Sequence, residues 1–486
     1  MYNTYIIPIP GGDIMKKTLR IICGALALCM LFAACGCTNS GKSIIDTVYS
    51  QYNDLAENAV FTDSDGKQSN KFDLSGKRDE NRFMTVDLGE PVQFNTLVLK
   101  ESGAAVTRFD VYASNSADKD YVFIYESDTV ENGHACFTGD CKYRFLRVFV
   151  TESSEDYQFE SLGVYYTKSK NADKLRVNAY LVMDNISEST DFSHLDAVTD
   201  LIIFSVAYFD ENGDIYFLDK EGNKAPEEYY KEKVDIVKKA VGKRDINLIA
   251  DIHMPTGDTA AATLKMLSPD NVEHITDNIV DFVDKFGFDG YDMDYEYPYT
   301  VEEWSVFNDF IRVLDGKLGD KILSLAVATW DLKFDDDVIE MIDRAEVMLY
   351  DAFDTHGYHA AFPSTANGVQ TVLEKGFKPE QIDIGVPFYS RPVNRLAFWG
   401  SYGQFADKAG KYKNTVDFED FDHDGQPMTA PQYINSYQMI ADKAAFAIDA
   451  GIGGIMIWHY TCDISYDNEN SLFRSLYETK QAKLEK

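Results

Sequence analysis

Residues 286–298 read F-G-F-D-G-Y-D-M-D-Y-E-Y-P, three acidic residues alternating with aromatic and apolar ones. If this stretch is extended, its side chains alternate between two faces, so Asp292, Asp294 and Glu296 project to the same side. The other side carries tyrosines and a methionine, which favours a buried strand. Like charges in a shielded place cannot all ionise cheaply, so we expect at least one of the three carboxyls to hold its proton near neutral pH.

This row of carboxylates has three possible interpretations. A protonated acid beside an ionised one is suited to cleaving a glycosidic bond. A solvated acidic strand needs no such chemistry, and a row of oxygen ligands can hold a hard cation. Because a solvated edge has no use for large aromatic side chains on its other face, the pattern favours the acid pair.

The segment 289–296, D-G-Y-D-M-D-Y-E, resembles the D-G-x-D-x-D-x-E motif of glycoside hydrolase family 18, the chitinases and endo-β-N-acetylglucosaminidases. Tyr297-Pro298 is more similar to the chitinase branch, although Tyr295 stands where chitinases usually carry Trp. The resemblance implies a retaining hydrolase that cleaves β-1,4 linkages of N-acetylglucosamine-containing glycans with help from the substrate's own acetamido group. It implies no cofactor and no metal.

The resemblance also implies roles for the three acidic residues. Glu296 would protonate the leaving oxygen and later activate water. Asp294 would hold the acetamido N–H, and Asp292 would share the proton of Asp294. The catalytic residues are therefore predicted to be Glu296, Asp294 and Asp292.

From residue 175 to 480, apolar runs alternate with helical stretches, which predicts an α/β fold. The eight strand-like runs are 175–183, 199–207, 246–253, 288–294, 322–329, 346–351, 382–388 and 453–458. Between them, Pro226 begins a helix that ends near Gly242, and an apolar helical face ends before Gly287. Eight such units predict a TIM (β/α)8 barrel, whose active site lies at the carboxyl ends of the strands.

Other predicted strand ends resemble the same family. Tyr350 and Asp351 lie in M-L-Y-D, which is similar to the family's M-x-Y-D, and Trp458 ends the eighth strand. The resemblance implies that the substrate is bound by Tyr350, Asp351, Trp458, Tyr180 and Met348, with Trp458 as the floor under the sugar.

Two departures from the family pattern carry expectations of their own. The third strand usually ends S-x-G-G, but it reads Asp251-Ile252-His253-Met254 here, so we expect a fourth carboxylate to push the protonation of the cluster upward. The segment between Arg391 and a helix beginning near Tyr437 is too short for a full α+β insertion domain. We therefore expect an open, shallow cleft.

Residues 45–166 contain short strand-like runs separated by turn residues, which predicts an N-terminal all-β sandwich. Segments 86–89 and 143–148 resemble discoidin-type modules, the coagulation factor C-type jelly rolls related to carbohydrate-binding module family 32. All four tryptophans lie outside this region, so sugar binding and a spacer role both remain open. The polar segment 167–174 is predicted to link this module to the barrel, giving a multidomain chain.

The N-terminus predicts export. Residues 1–35 are interpreted as a mis-called start followed by a lipoprotein signal peptide, with translation beginning at Met15. Segment 32–35, F-A-A-C, resembles a bacterial lipoprotein cleavage box with Cys35 as the lipidated residue, and Cys37 is a competing site. Residues 36–44 would form a tether. These features predict a protein anchored through lipid to the membrane at the bacterial cell surface.

The net charge limits the possible partners, and the cysteines leave one structural alternative open. The chain has 46 basic and 80 acidic residues and a net charge of −34, which argues against nucleic acid as a partner. Cys136 and Cys141 could form a small disulfide loop or remain free thiols. Three alternatives to a chitinase stay open: an endo-β-N-acetylglucosaminidase acting on N-glycan chitobiose cores, a catalytically silent sugar-binding lectin, and an enzyme of spore or wall remodelling.

Overall fold

A computed structural model describes residues 42–127, 133–255, 259–422 and 424–485 of the chain. The predicted signal peptide, Cys35 and most of the predicted tether lie outside these residues. Within them, none of the helices combines the length and the apolar character needed to cross a membrane.

The N-terminal region begins with a short helix and continues as antiparallel strands. Helix α1 spans Ile44–Tyr49 and is capped by the Ser43 side chain, which accepts a hydrogen bond from the amide of Asp46. The strands are β1 Val60–Asp63, β2 Gln68–Ser69, β3 Ser75–Gly76, β4 Phe83–Glu101, β5 Val106–Ser114, β6 Val122–Ser127, β7 His134–Ser153 and β8 Tyr157–Tyr165. Helix α1 was not expected, since residues 36–44 were predicted as a tether and the module as all-β.

Two long strands hold the N-terminal module together. β4 pairs with β1, β7 and β8, and β7 pairs with both β4 and β5. Apolar side chains of these strands, including Phe94, Phe109 and Leu146, form one core. The expected strands are present, whereas the relationship to discoidin modules stays a prediction. Cys136 and Cys141 are free thiols, which resolves the alternative left open above.

Eight parallel strands close the second unit into a barrel, as predicted. They are β9 Arg176–Val182, β10 Asp200–Phe209, β12 Asn247–His253, β13 Gly290–Met293, β14 Ile322–Val327, β15 Arg344–Val347, β16 Ile382–Pro387 and β20 Gly454–Trp458, while the short β11, Ile215–Tyr216, pairs with β10. Closure comes from β9, which pairs with both β10 and β20.

Several strand ends were predicted too far along the chain, and at two of these ends the difference affects predicted site residues. The fourth strand was expected to reach residue 294 but ends at Met293, and the sixth was expected at 346–351 but spans Arg344–Val347. Asp292 lies on β13 itself, whereas Asp294 and Glu296 follow β13, and Met348, Tyr350 and Asp351 follow β15. A loop frees these side chains from the strict alternation of a strand.

Helices surround the barrel and pack an apolar face against it. They are α2 Glu227–Val241, α3 Thr259–Met266, α4 Val272–Phe286, α5 Val301–Leu318, α6 Asp336–Met341, α7 Phe362–Glu374, α8 Ala406–Ala409, α9 Tyr437–Ala450 and α10 Leu472–Lys483. The predicted ends of α2 and α4 are confirmed, with Gly242 and Gly287 as their C-caps. Both glycines have positive φ, a conformation that glycine adopts at little cost.

A small antiparallel sheet fills the segment before α9. It contains β17 Arg391–Pro392, β18 Thr415–Phe421 and β19 Pro427–Tyr433, in the order β17-β19-β18. The expectation that a full insertion domain would not fit is consistent with this size. The hairpin itself was not foreseen.

Helix α9 lies between the barrel and the N-terminal module and is buried along almost its whole length. Its Asp442 accepts hydrogen bonds from Tyr125 (2.6 Å) and from the amide of Phe137 (2.7 Å) of the module, and it lies 3.0 Å from His134. The ring of His134 stacks on Phe362 at 4.5 Å. These contacts fix the module against one side of the barrel.

A second buried contact lies about two turns further along α9 and joins three parts of the chain. Lys483 of α10 lies 2.7 Å from Asp449, which also accepts hydrogen bonds from Tyr49 and Thr167 at 3.1 Å each. Thr167 was predicted to begin a polar linker, yet it is fully buried. The connection between module and barrel is thus packed against both.

Candidate active site

The three predicted catalytic carboxylates lie at the carboxyl end of β13, at increasing distance from the barrel interior. Asp292 is fully buried on the strand, Asp294 follows the strand and is partly buried, and Glu296 is exposed. This gradient gives each carboxyl a different environment. Only the last two line the cleft described below.

Asp292 is held from the first barrel strand. Tyr180 donates a hydrogen bond of 2.7 Å to its Oδ2 atom. Burial raises the pKa of Asp292 to about 6, although hydrogen bonds from Ser324 and Tyr180 and the positive charge of Arg344 act in the opposite direction. Asp292 can therefore exchange a proton near neutral pH.

Asp294 interacts directly with Glu296. Burial, the negative charges of Glu296, Asp251 and Asp292, and a hydrogen bond with Glu296 together raise the pKa of Asp294 well above its usual range. A proton on Asp294 is therefore retained where an isolated aspartate would have lost it. An exposed glutamate beside a proton-holding aspartate is an arrangement for general acid catalysis.

The predicted sugar-binding residues meet in one apolar cluster beside the carboxylates. The cluster contains Tyr180, Met348, Tyr350 and Trp458, together with Phe204, Ile202, Ile249, Ile322 and Met456. Trp458 lies with its ring centroid 5.3 Å from Tyr180 and 4.8 Å from Phe204. Four residues predicted on three different strand ends are therefore brought together.

Asp351 is also at the site, but it is bound by protein groups. It accepts hydrogen bonds from Tyr389 (2.9 Å) and from Nε of Arg391 (2.8 Å), and a second contact joins it to the Arg391 guanidinium. Burial opposes ionisation, yet the hydrogen bonds and charges of Arg391 and His359 hold the pKa of the Asp351 carboxyl well below its usual range. Asp351 is thus a fixed anion in the cleft wall.

A cleft of about 1100 Å³ connects these groups. It is lined by Asp294, Glu296, Tyr180, Met348, Tyr350, Asp351 and Trp458, so all predicted site residues except the buried Asp292 and the lipidation residue Cys35 face it. Sequence analysis did not assign a role to two further lining residues, Trp330 and Trp399, whose exposed fractions are 46% and 51%. Trp399 comes from the loop after β17, where no repeated pattern marked it.

Asp251, where the third strand departs from the family pattern, lies at the same site. Asp251 is 1% exposed and is the Cα partner of Asp292 across the β12–β13 pairing. Its Oδ1 atom accepts a hydrogen bond of 2.8 Å from the amide of Ser205. The expected fourth carboxylate is therefore adjacent to the other three.

A polar network fills the barrel interior below Asp292 and was missed by sequence analysis. Asn178 donates hydrogen bonds of 2.7 Å to both Glu346 and Asp383, and Asp383 pairs with Arg176 at 2.8 Å. All but the arginine are fully buried. Glu346 and Asp383 each stand alone within apolar strand sequences, so no spacing indicated them.

No group of three or more histidine, cysteine, aspartate or glutamate side chains in the described ranges is arranged to hold a metal ion. The absence of a cofactor remains a prediction.

Comparison with known proteins places this geometry in a family. The family model described as "Glycosyl hydrolases family 18" matches residues 162–463, and the chain belongs to that family. "Probable chitinase 2" of Drosophila melanogaster is 23% identical over 236 residues, which cover 37% of this chain and 49% of the fly protein. The chain thus matches about half the length of that relative. Family membership and these chitinase homologues support glycosidase activity.

Solved structures of low sequence identity are also similar to this chain. A family 18 chitinase from the chitin utilization locus of Flavobacterium johnsoniae is 22% identical, covers 63% of this chain and 94% of its own, and has a TM-score of 0.49. A chitinase-like agglutinin from Robinia pseudoacacia is 18% identical, covers 63% and 99%, and has a TM-score of 0.48.

Proposed function

We propose that this protein is a retaining glycoside hydrolase that cleaves β-1,4 linkages in N-acetylglucosamine-containing glycans. One observation carries the proposal. Exposed Glu296 and partly buried Asp294 lie side by side in a cleft whose apolar floor contains Tyr350 and Trp458. An acid beside an aromatic floor fits a pyranose ring with its glycosidic oxygen directed at the acid.

In the proposed reaction, Glu296 protonates the leaving glycosidic oxygen while the acetamido oxygen of the substrate attacks the anomeric carbon. An oxazolinium ion forms, and water activated by Glu296 opens it with overall retention of configuration. The exposure of Glu296 supports both roles, since the acid must reach first the leaving oxygen and then a water molecule. Substrate-assisted enzymes of this kind need no second carboxylate as nucleophile.

Asp294 would orient the acetamido group through its N–H and offset the positive charge that develops on it. Its hydrogen bond with Glu296 and the nearby carboxyl of Asp292 support this role. Tyr350 would donate a hydrogen bond to the acetamido oxygen, and Trp458 would close the pocket around the methyl group. The cleaved sugar must then carry a 2-acetamido group, which excludes plain glucans.

Product analysis tests the proposal. The protein from Gly36 onward is incubated with chitotetraose and, separately, with a high-mannose glycoprotein, and the products are identified by mass spectrometry. We expect chitobiose from the first substrate, with β-anomers dominating in early NMR spectra. Release of glycans that leaves one N-acetylglucosamine on the glycoprotein would establish the endoglycosidase instead.

Two variants make this test specific. Glu296→Gln should keep binding and lose activity by several orders of magnitude, because the amide cannot donate a proton to the leaving group. Glu302→Gln, an exposed position on α5, is the matched control and should behave like the wild type. Binding without turnover by the wild type would support a lectin, and an active Glu296→Gln variant would remove Glu296 as the acid.

We also propose that the protein is exported and anchored to the bacterial surface through Cys35. The basic start, the apolar run and the small residues before Cys35 support this location.

A further inference from the structure

The catalytic carboxylates are part of a larger group of four acids. Asp251 on β12 and Asp292 on β13 are Cα partners in the parallel pairing, so their side chains leave the sheet on the same face. One oxygen of each inner carboxyl lacks a hydrogen-bond partner among the described residues: Oδ2 of Asp251, Oδ1 of Asp292 and Oδ1 of Asp294. Buried carboxylate oxygens in this situation are stabilised by shared protons.

The backbone holds Asp251 in place from the other side. The pairing of β10 with β12 is irregular between Ile203 and Ala207, and Ser205 within this irregularity has a φ of 55°. This left-handed conformation is costly for a residue with a side chain. It directs the Ser205 amide to Oδ1 of Asp251 at 2.8 Å. Because one oxygen is fixed in this way, Oδ2 is the atom left to interact with the cluster.

The groups that face Asp251 add negative charge and almost no positive charge. Electrostatic interactions join Asp251 to Asp292, Asp294, Tyr208 and Tyr291, and Asp292 in turn interacts with Tyr180, Arg344 and Glu346. Glu296 interacts with Asp294, and His253 lies two residues from Asp251 on β12. Burial lowers the pKa of His253, which favours its neutral form. Arg344 is the cation among these groups, and it is paired with Asp200 at 2.6 Å.

We propose that Asp251 is a positioning residue for the catalytic proton, whose charge keeps a proton on Asp294, beside Glu296, at higher pH than Asp294 would hold it alone. The inference rests on the proposed function and extends it. A residue that cannot ionise would contribute no such charge at this position. The four-acid cluster would therefore shift the working range of this enzyme toward alkaline pH.

The direction of the expected shift in the pH profile follows from the coupling of the four acids. Burial and the charge of Asp292 raise the pKa of Asp251 well above its usual range, and the charge of Asp251 contributes in turn to the raised pKa of Asp294. Interacting acids release protons in steps that belong to the whole cluster. Removing one acid lets the last protons leave at lower pH, so the alkaline limb of kcat/KM moves down.

The experiment compares Asp251→Asn and Asp251→Ser with the wild-type protein. The pH dependence of kcat/KM is measured on chitotetraose, and the carboxylic C=O stretch of the substrate-free protein is titrated by infrared spectroscopy. For both variants we expect the alkaline half-point to fall by about one pH unit, the typical effect of a nearby charge. KM at the optimum should change little, and the infrared band of protonated carboxyls should weaken at neutral pH.

Asp281→Asn, an exposed position on α4, is the matched control and should match the wild type in both measurements. An unchanged alkaline half-point and an unchanged infrared titration in both Asp251 variants would overturn the proposal. If Asp251→Asn fails to fold, Asp251→Ser still decides the outcome. If no hydrolysis is detected at all, the proposed function fails, whereas the infrared titration still reports whether Asp251 belongs to the proton-sharing cluster.

Discussion

Tyr180 on the first barrel strand donates a hydrogen bond of 2.7 Å to Oδ2 of Asp292 on the fourth. The bond crosses the barrel interior. It joins two positions that are 112 residues apart in the chain. Tyr180 also packs on Trp458, so one side chain orients both the inner carboxylate and the floor of the cleft.

Tyr180→Phe should therefore reduce activity without unfolding the barrel. Loss of a hydrogen bond to a charged group costs about 1.5–3 kcal/mol, which corresponds to a decrease of roughly 10- to 100-fold in kcat/KM. Since this bond lowers the pKa of Asp292, the acid limb of the pH profile should move upward. Tyr402→Phe is the control, because its hydroxyl bonds a backbone carbonyl of Asn470 at 2.8 Å, in another part of the structure. Equal effects of the two variants would argue against a role for Tyr180.

Asp292→Asn should lower the activity and raise the stability of the fold, and the gain in stability should depend on pH. The pKa of Asp292 is about 6 in the folded state and 3.8 for an unperturbed aspartate, so between these values the folded state binds more protons than the unfolded state. The destabilisation due to Asp292 is absent below pH 4, grows as pH rises and is complete above pH 6. Asparagine removes it, with a gain of at most about 3 kcal/mol at pH 8. Chemical denaturation at pH 4 and pH 8 measures the difference, and a gain that is equal at both pH values would contradict it.

Trp399→Ala should weaken binding of longer oligosaccharides. Its half-exposed ring lines the cleft 6.1 Å from the ring of Tyr389, and exposed aromatic faces stack on sugar rings. We expect KM for chitotetraose to rise about tenfold with little change in kcat, because the ring supplies binding area and no reacting group. Phe421→Ala, 53% exposed on β18 and outside the lining of the cleft, is the control and should leave KM unchanged.

Lys483→Met should destabilise the module and the barrel together. The variant leaves buried Asp449 without its cation, a change that costs about 3–5 kcal/mol. Adding Asp449→Asn should restore part of the loss, because the uncompensated charge is then removed. Lys231→Met, an exposed position on α2, is the control. Two separate unfolding transitions in the wild type would show that the domains are independent and would contradict this expectation.

Cys35→Ser should abolish lipid labelling in a bacterial host fed an alkyne-tagged fatty acid. The thiol of this cysteine is the predicted attachment point, and serine cannot form the thioether. Cys37→Ser serves as the control and should remain labelled. The opposite result would assign the lipid to Cys37.

Sequence periodicity was sufficient for the barrel and for the three carboxylates, since alternation around Asp292 and apolar runs at regular spacing are local signals. It was insufficient for Glu346 and Asp383, whose partners, Asn178 and Arg176, lie far away in the chain. Such residues look like isolated polar substitutions until the strands are closed into a ring.

The positions of loop residues were also beyond local patterns. Trp399 lies between β17 and β18 and lines the cleft, a placement that no local sequence pattern indicates. Helix α1 was missed for a related reason. Its six residues are too few for a visible helical period, and its burial depends on α7 and α9.

The polar contacts along α9 restrict how this chain can exchange parts with its relatives. The module's Tyr125 and His134 both depend on Asp442, a residue of the barrel. Fused to a barrel that lacks this aspartate, the module would lose the buried carboxylate that both its Tyr125 hydroxyl and its His134 ring contact. The module and the barrel are therefore expected to be inherited as one unit, with compensating changes on both sides whenever either surface varies.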